Sequence, residues 1–278
     1  MCNFLSLVSD PSTGDIFYAD WAVRQMFLAH DPRVKKLESP DSHSSIASFF
    51  GYRGKAEDKL NKYEYNPFTK KFQVDQIICN GEDDSAIVEA FCRKLDFKKI
   101  IPALIIKPVV NPFKIKPPRS LTKKEIDYLW AWASVRSSVR SSVRASAGDS
   151  VGESVWGSVW DFIWDSVGDS VGDSVWDSVW VSVWGSVGDS VWDSVRDSVG
   201  ASVWDSIRVS VRDSVGAYIS SCFNIKYSHD FSPAVKLWER GLVPSYDGKT
   251  WRLHGGSKGE ILYEKKLRGI HERGNKDE

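Results

Sequence analysis

Hydrophobic and polar positions repeat every four residues along the middle of this chain, from residue 134 to residue 217. This tract consists of 21 consecutive tetrapeptides of the form Ser-Val-x-z, without an insertion. Serine stands first in each tetrapeptide except at Phe162, and valine stands second except at Ala147, Ile163 and Ile207. The pattern therefore predicts a repetitive architecture in which one apolar side chain per tetrapeptide faces the interior.

The third position of the tetrapeptide is restricted to Trp, Gly or Arg. An exchange of Trp for Gly changes the side-chain volume far beyond what a close-packed core tolerates. We therefore expect the third position to face solvent. The alternative is that this variety carries no specific chemistry and reflects an expanded DNA repeat, because codons for Trp, Gly and Arg can share their last two bases.

The four-residue period favours a β-solenoid for the tract. Ser, Val, Asp and Gly are poor helix formers, and a period of four drifts by about 40° per repeat from the 3.6-residue turn of an α-helix. A flat strand would put Val and Asp on the same face. In a solenoid, each tetrapeptide forms one short side of a coil with Val inside. We predict a β-solenoid-like middle, with a long helical repeat as the alternative and disorder as a third possibility.

The segment before the tract is predicted to be an α+β globular domain, residues 1–106. Apolar runs at residues 4–8 and 16–18 flank a turn signal and predict a hairpin, which a helical pattern at residues 21–29 follows. A second hairpin is predicted within residues 63–78.

The predicted domain boundaries follow from proline and capping signals. Proline density makes residues 107–121 a linker, and a capping box at Thr122 predicts a capping helix over residues 122–133. Beyond the repeat, residues 218–266 predict a small α+β C-terminal cap, made of a helix and a hairpin. The charged residues 267–278 are predicted to be a disordered tail.

Charge divides the chain between the tract and its flanks. The tract carries six arginines against eleven Asp and one Glu, a net charge of −6, so the flanks carry +6 in a chain of net charge zero. An acidic tract argues against nucleic-acid binding through the repeat and leaves open an acidic surface presented to a basic partner, which we expect to be a protein.

Cysteine spacing and hydropathy indicate the cellular environment of the protein. The four cysteines show no metal-ligand spacing, so we expect a reduced, cytoplasmic protein without a metal or a cofactor. The longest apolar stretch, residues 100–106, is broken by Pro102 and too short to span a bilayer, so no membrane association is expected.

Three flanking segments carry a resemblance to other proteins. Residues 1–6, 41–46 and 237–244 are similar to segments of uncharacterised tailed-phage and environmental proteins that contain similar Ser-Val-Trp/Gly/Arg tracts. The resemblance implies a phage association, and hence the host cytoplasm, but no activity. The predicted architecture of the tract also resembles that of pentapeptide-repeat β-helix proteins, whose five-residue sides stack into a quadrilateral.

One set of residues suggests catalysis. Cys2 would become the N-terminal residue after removal of the initiator Met, and with His43 and Asp41 it could form the nucleophile of an N-terminal-cysteine hydrolase. The structural alternative is that Cys2 is a buried apolar residue. Polar residues before Ile46 would then simply cap a helix.

We interpret the protein as a non-enzymatic interaction protein that displays Trp, Arg and Asp on a repetitive rod. The alternatives are the hydrolase and an acidic inhibitor in which rows of Asp imitate the phosphates of DNA. The predicted binding residues are Trp156, Trp160, Trp164, Trp176, Trp180, Trp184, Trp192, Trp204, Arg196, Arg208 and Arg212.

Overall fold

The computed structural model describes residues 4–52, 54, 59–78, 83–184 and 192–267. Within these ranges, the side chains of residues 180, 182–184 and 192–204 are not described. The chain divides into two compact units. The first unit comprises Met1–Pro108, Arg144–Phe162 and Cys222–Tyr227, and the second comprises Val109–Val143, Ile163–Ser221 and Ser228–Glu278. The repeat tract therefore contributes residues to both units, while the predicted tail lies, beyond residue 267, outside the described residues.

The first unit contains a four-stranded antiparallel sheet with the strand order β2-β1-β3-β4. Both predicted hairpins are confirmed. In the first hairpin, Val8 pairs with Phe17, and Gly14 takes the positive φ that the turn requires. The strands are β1 (Leu5–Asp10), β2 (Asp15–Phe17), β3 (Asn61–Asn66) and β4 (Lys71–Gln76).

Short capped helices complete the first unit. Asp20 accepts a hydrogen bond from the backbone N–H of Val23, and Ser42 accepts one from that of Ser45, so each caps the helix that follows it. A core cluster forms where the sheet meets the second of these helices. The helices are α1 (Trp21–Leu28), α2 (His43–Phe49), α3 (Ser85–Cys92) and α4 (Phe97–Ile100).

The second unit packs helices against a three-stranded antiparallel sheet of order β5-β6-β7. The predicted capping box is confirmed, because Thr122 and Glu125 satisfy each other at the start of α5. The helix and the hairpin predicted near the C-terminus are also confirmed. These elements are α5 (Lys123–Val135), α10 (Ser232–Trp238), β5 (Val243–Tyr246), β6 (Thr250–Gly255) and β7 (Glu260–Lys266).

The repeat tract is helical, so the predicted β-solenoid is wrong. A 3-10 turn at Arg136–Ser138 precedes the first of its helices, and a π-helical turn at Trp164–Gly168 lies between the second and the third. The tract forms α6 (Val139–Val151), α7 (Glu153–Ile163), α8 (Asp169–Trp184) and α9 (Trp192–Ser220), the last of which extends three residues beyond it. The helical alternative describes the tract correctly.

Interruptions reconcile a period of four with the α-helix. Along α6, from Val139 to Val151, the second positions drift by about 120° in total, close to the width of an ordinary apolar stripe. Gly152, with φ of 92°, then ends the helix before the drift grows further. Second positions from residue 139 to residue 179 are accordingly no more than 3% exposed. The expectation that valine faces inward is confirmed, although the backbone differs from the predicted one.

The other three positions follow from the 100° step of the helix. The fourth position lies about 200° from valine, and between residues 137 and 181 every fourth-position residue except Gly157 is exposed. The third position lies at the edge of the buried face. Arg140 and Arg144 are exposed there, as expected, but Trp156 is only 6% exposed, so the expectation that all third positions face solvent is wrong.

At one pair of third positions, a glycine makes room for a tryptophan. The indole of Trp164 lies along its own helix over Gly168, where an added Cβ would be 2.6 Å from the indole atom Cδ2. At Gly172, an added Cβ would meet nothing within 4 Å. The space around the third position therefore differs from one tetrapeptide to another.

The buried and exposed faces of α8 can be compared with one substitution at two positions. Val175 is fully buried, so Val175→Asp should lower the free energy of unfolding by about 3–5 kcal/mol through burial of an unpaired charge. Val181 is 69% exposed, so Val181→Asp should change it by less than about 0.5 kcal/mol. Urea unfolding followed by circular dichroism measures both values, and comparable losses would contradict these helix faces.

The two glycines provide a second matched pair. Gly172→Ala should raise the free energy of unfolding by about 0.5–1 kcal/mol, because alanine is the better helix former and has space. Gly168→Ala should lower it, because the new methyl group displaces the indole of Trp164. Thermal and urea unfolding distinguish the two signs, and a stabilising Gly168→Ala would show that the indole does not need this glycine.

Candidate anion-binding site

Third-position arginines from both ends of the repeat tract meet in the second unit around the carboxylate of Asp213. The guanidinium Nη1 of Arg136 lies 3.5 Å from Oδ2 of Asp213. Arg140 and Arg212 also act electrostatically on this carboxylate, and Arg208 acts on Arg212. The residues meet because α9 packs against the 3-10 turn that contains Arg136. We call Arg136, Arg140, Arg208 and Arg212 the arginine cluster.

Aromatic rings hold two of these guanidinium groups in place. The guanidinium carbon of Arg136 lies 5.4 Å from the ring centroid of Tyr246 and 5.7 Å from that of Trp251, and the two rings stack on each other. The corresponding distance from Arg212 to Trp164 is 5.6 Å. Guanidinium groups over aromatic faces gain about 0.5–1 kcal/mol each and lose freedom of movement. The positive charges are therefore held in defined positions.

The arginine cluster places four guanidinium groups and one carboxylate in the same region of the second unit. Burial raises the pKa of Asp213 to about 6, although Arg136, Arg140 and Arg212 oppose this rise. Burial, together with repulsion from Arg140 and Arg208, lowers the pKa of Arg212. The Nε–H of Arg212 is buried and has no hydrogen-bond partner among the described residues. An unused donor amid excess positive charge suits an anion.

Carboxylates form a separate row on the outer face of the tract. Each is exposed, and none has an ion pair or hydrogen bond with any residue that the structure describes. Along a helix, residues four apart are separated by about 6 Å, and like charges at that spacing repel. The row consists of Asp165, Asp169, Asp173 and Asp177. It gives the second unit a strongly negative surface besides the arginine cluster.

Comparisons with protein-family models, curated proteins and solved structures gave no match. The resemblance of the flanking segments to phage and environmental repeat proteins therefore stays a prediction. None of the helices in the described part of the chain has the length and apolarity to cross a membrane.

The residues predicted for catalysis have structural partners. Asp41 is 4% exposed, forms a buried ion pair with Arg24 and accepts a hydrogen bond of 2.8 Å from the hydroxyl of Ser154. The Nε2 atom of His43 lies 2.9 Å from the carbonyl oxygen of Tyr63. Its Nδ1 atom lies 3.5 Å from a carboxylate oxygen of Asp75. Cys2 lies outside the described residues.

The predicted binding residues fall into three groups. Trp164, Arg208 and Arg212 belong to the candidate site or lie against it. Trp156 and Trp160 pair in the first unit with ring centroids 5.0 Å apart, and Trp176 is half-buried on α8. The remaining predicted residues lie on α8 or α9 with side chains outside the described part, and they are Trp180, Trp184, Trp192, Trp204 and Arg196.

Sequence reasoning missed Arg136, Arg140 and Asp213. A signal for them was present, because arginine occupies the third position only near the two ends of the tract, whereas Trp and Gly fill its centre. Like charges confined to both ends of a repeat indicate that the ends have a common role. A strict period of four makes every tetrapeptide look equivalent, and this hides the asymmetry.

The raised pKa of Asp213 predicts a pH-dependent stability. Because the pKa rises from 3.8 to about 6 on folding, the folded protein holds this proton more tightly than the unfolded protein does. The contribution of Asp213 to stability is therefore largest below about pH 4 and is lost as the pH rises through 6. Asparagine stays neutral at every pH, so the free energy of unfolding of Asp213→Asn, relative to that of the wild type, should increase by about 2–2.5 kcal/mol between pH 4 and pH 7.

Urea unfolding at a series of pH values measures this difference. Asp177→Asn is the control, because Asp177 is exposed and should give a difference that varies little with pH. An Asp213→Asn protein less stable than the wild type at pH 7 would show that the arginines hold the carboxylate ionised.

Proposed function

We propose that this chain is a non-enzymatic interaction protein whose arginine cluster binds an acidic segment of a partner protein. The observation that carries the proposal is the gathering of Arg136, Arg140 and Arg212 around the single buried carboxylate of Asp213, with Arg208 close enough to repel Arg212. Two of them, Arg140 and Arg208, are exposed to solvent, and the charges of both act on Arg212. Mutual repulsion costs folding free energy, and a binding role accounts for why such an arrangement is kept.

The chemistry of the surroundings favours a carboxylate-rich protein over a nucleic acid. Guanidinium groups bind carboxylates through paired hydrogen bonds, and Trp164, Tyr246 and Trp251 provide flat apolar surfaces beside them. A nucleic acid would extend its phosphates well beyond the arginine cluster. The aspartate row on the same unit would repel such a polyanion, whereas a short acidic segment can avoid it.

A binding role is also supported by the contacts of the catalytic candidates. The carboxylate of Asp41 neutralises Arg24 in the interior, and His43 is engaged by the backbone of Tyr63. Asp41 and His43 therefore contribute to the structure of the first unit. A buried charge such as that of Arg24 needs a partner of opposite charge, and Asp41 provides it.

The proposal is tested with a fluorescein-labelled oligoglutamate peptide and an equally labelled DNA duplex, by fluorescence anisotropy. Replacing Arg140 and Arg208 together by Gln should weaken peptide binding by about tenfold, a loss of about 1.4 kcal/mol. The two charges repel Arg212, whereas Arg140 also attracts the carboxylate of Asp213, so urea unfolding of the variant is measured alongside binding to verify that it folds. Binding of the wild type should weaken as the salt concentration rises.

Arg144→Gln is the matched control, because Arg144 is also an exposed third-position arginine but belongs to the first unit, where it pairs with Glu153. It should change peptide binding by less than about twofold. Equal losses from the control and the double variant would contradict the role of the arginine cluster. Tighter binding of the DNA duplex than of the peptide would contradict the protein partner.

A further inference from the structure

The first unit contains a cavity that the proposed function does not use. Its volume is about 740 Å³, within the range of pockets that hold small molecules. The end of β3, the turn after it, the end of α3, and α4 form part of its wall. The rest is formed by Pro102, Leu104, Ile105, Ile106 and Asn224.

The wall of this cavity is largely apolar. Phe97 and Tyr65 stack with ring centroids 6.0 Å apart, and Leu104 is 5% exposed. Ile105 and Ile106 also line the cavity and are each 40% exposed, which makes them two of the more exposed large apolar side chains in the described part of the chain. When an apolar ligand covers an exposed isoleucine side chain, apolar surface is removed from water, and this contributes favourably to the free energy of binding.

One residue of the wall carries a hydroxyl group that no protein group uses. Tyr65 lines the cavity, and its hydroxyl makes no hydrogen bond with the described residues. A phenol hydroxyl that retains contact with solvent and has no protein partner can donate a hydrogen bond to a ligand. The charge of Arg93 acts on this phenol from the same cavity wall. A group that accepts a hydrogen bond and carries negative charge would satisfy both.

The rim of the cavity is positively charged. Lys70, Arg93 and Lys98 line it, whereas Asp96 is its acidic residue. The carboxylate of Asp96 accepts a hydrogen bond of 3.1 Å from the backbone N–H of Lys98 and so caps α4. Arg93 pairs with Glu89, but Lys70 and Lys98 form no ion pair with any described residue. The two lysine charges are therefore available to a ligand.

We propose that this cavity binds a small amphipathic carboxylate, with its apolar body against Phe97, Leu104 and Ile105. The carboxylate accepts the hydrogen bond of the Tyr65 hydroxyl and lies near the ammonium group of Lys98. The site belongs to the first unit and shares no residue with the arginine cluster, so it is independent of the proposed function.

The probe is decanoate, titrated into the full-length protein by isothermal titration calorimetry, with decanol as a neutral ligand of the same chain length. Decanoate should bind at one site per chain, and decanol should bind about tenfold more weakly because it lacks the charge. Absence of decanoate binding, or equal affinities for the two ligands, would overturn the proposal.

Point variants then locate the site. Tyr65→Phe removes only the hydroxyl, and Lys98→Ala removes the charge at the rim, so each should weaken decanoate binding by about fivefold to tenfold. Lys99→Ala is the matched control, because Lys99 is the next residue of α4, is exposed and does not line the cavity. Unchanged affinity in both Tyr65→Phe and Lys98→Ala would place the ligand elsewhere and refute the site.

Discussion

Burial of the second-position side chain is the interaction on which the helical tract depends. In a helix, Ser, Val and Asp are each less favourable than Ala by up to about 0.7 kcal/mol. The intrinsic helix propensity therefore disfavours a helical tetrapeptide by about 2 kcal/mol relative to polyalanine. Complete burial of a valine side chain stabilises the folded state by about 1.5–3 kcal/mol. The unfavourable helix propensity and the favourable burial of valine therefore nearly balance. The tract is therefore helical only where other parts of the chain cover its valines, and these parts include residues before and after the tract.

The same burial organises the other positions of the tetrapeptide. Once valine faces inward, the helix turn places the fourth positions between residues 137 and 181 on the solvent side, where Asp165 and Asp169 form no ion pair with any residue that the structure describes. Asp213 is also a fourth position, but it is buried in the second unit. It also places the third position at the edge of the buried face. Arginines at that edge can meet across the second unit while their valine neighbours remain covered, which is how Arg136 and Arg212 come to lie near Asp213.

Departures from the repeat mark tertiary contacts. Phe162, the single exception to serine at the first position, packs against Phe68 with ring centroids 5.2 Å apart and against Phe4 at 6.4 Å. Glu153, the single Glu at the fourth position, pairs with Arg144 just after Gly152 ends α6. These two departures from the repeat therefore lie at contacts within the first unit, one with residues outside the tract and one inside it.

Local rules were enough to predict the hairpins, the capping box at Thr122 and the inward valine from the sequence alone, because turn residues, caps and apolar spacing act over a few neighbours. The backbone of the tract was not predictable in this way. A period of four permits a solenoid or an interrupted helix, and the energy difference depends on which surfaces cover Val175 and its equivalents. The cavity beside Tyr65 and the arginine cluster were decided by the tertiary structure for the same reason, since each joins residues that are distant in sequence.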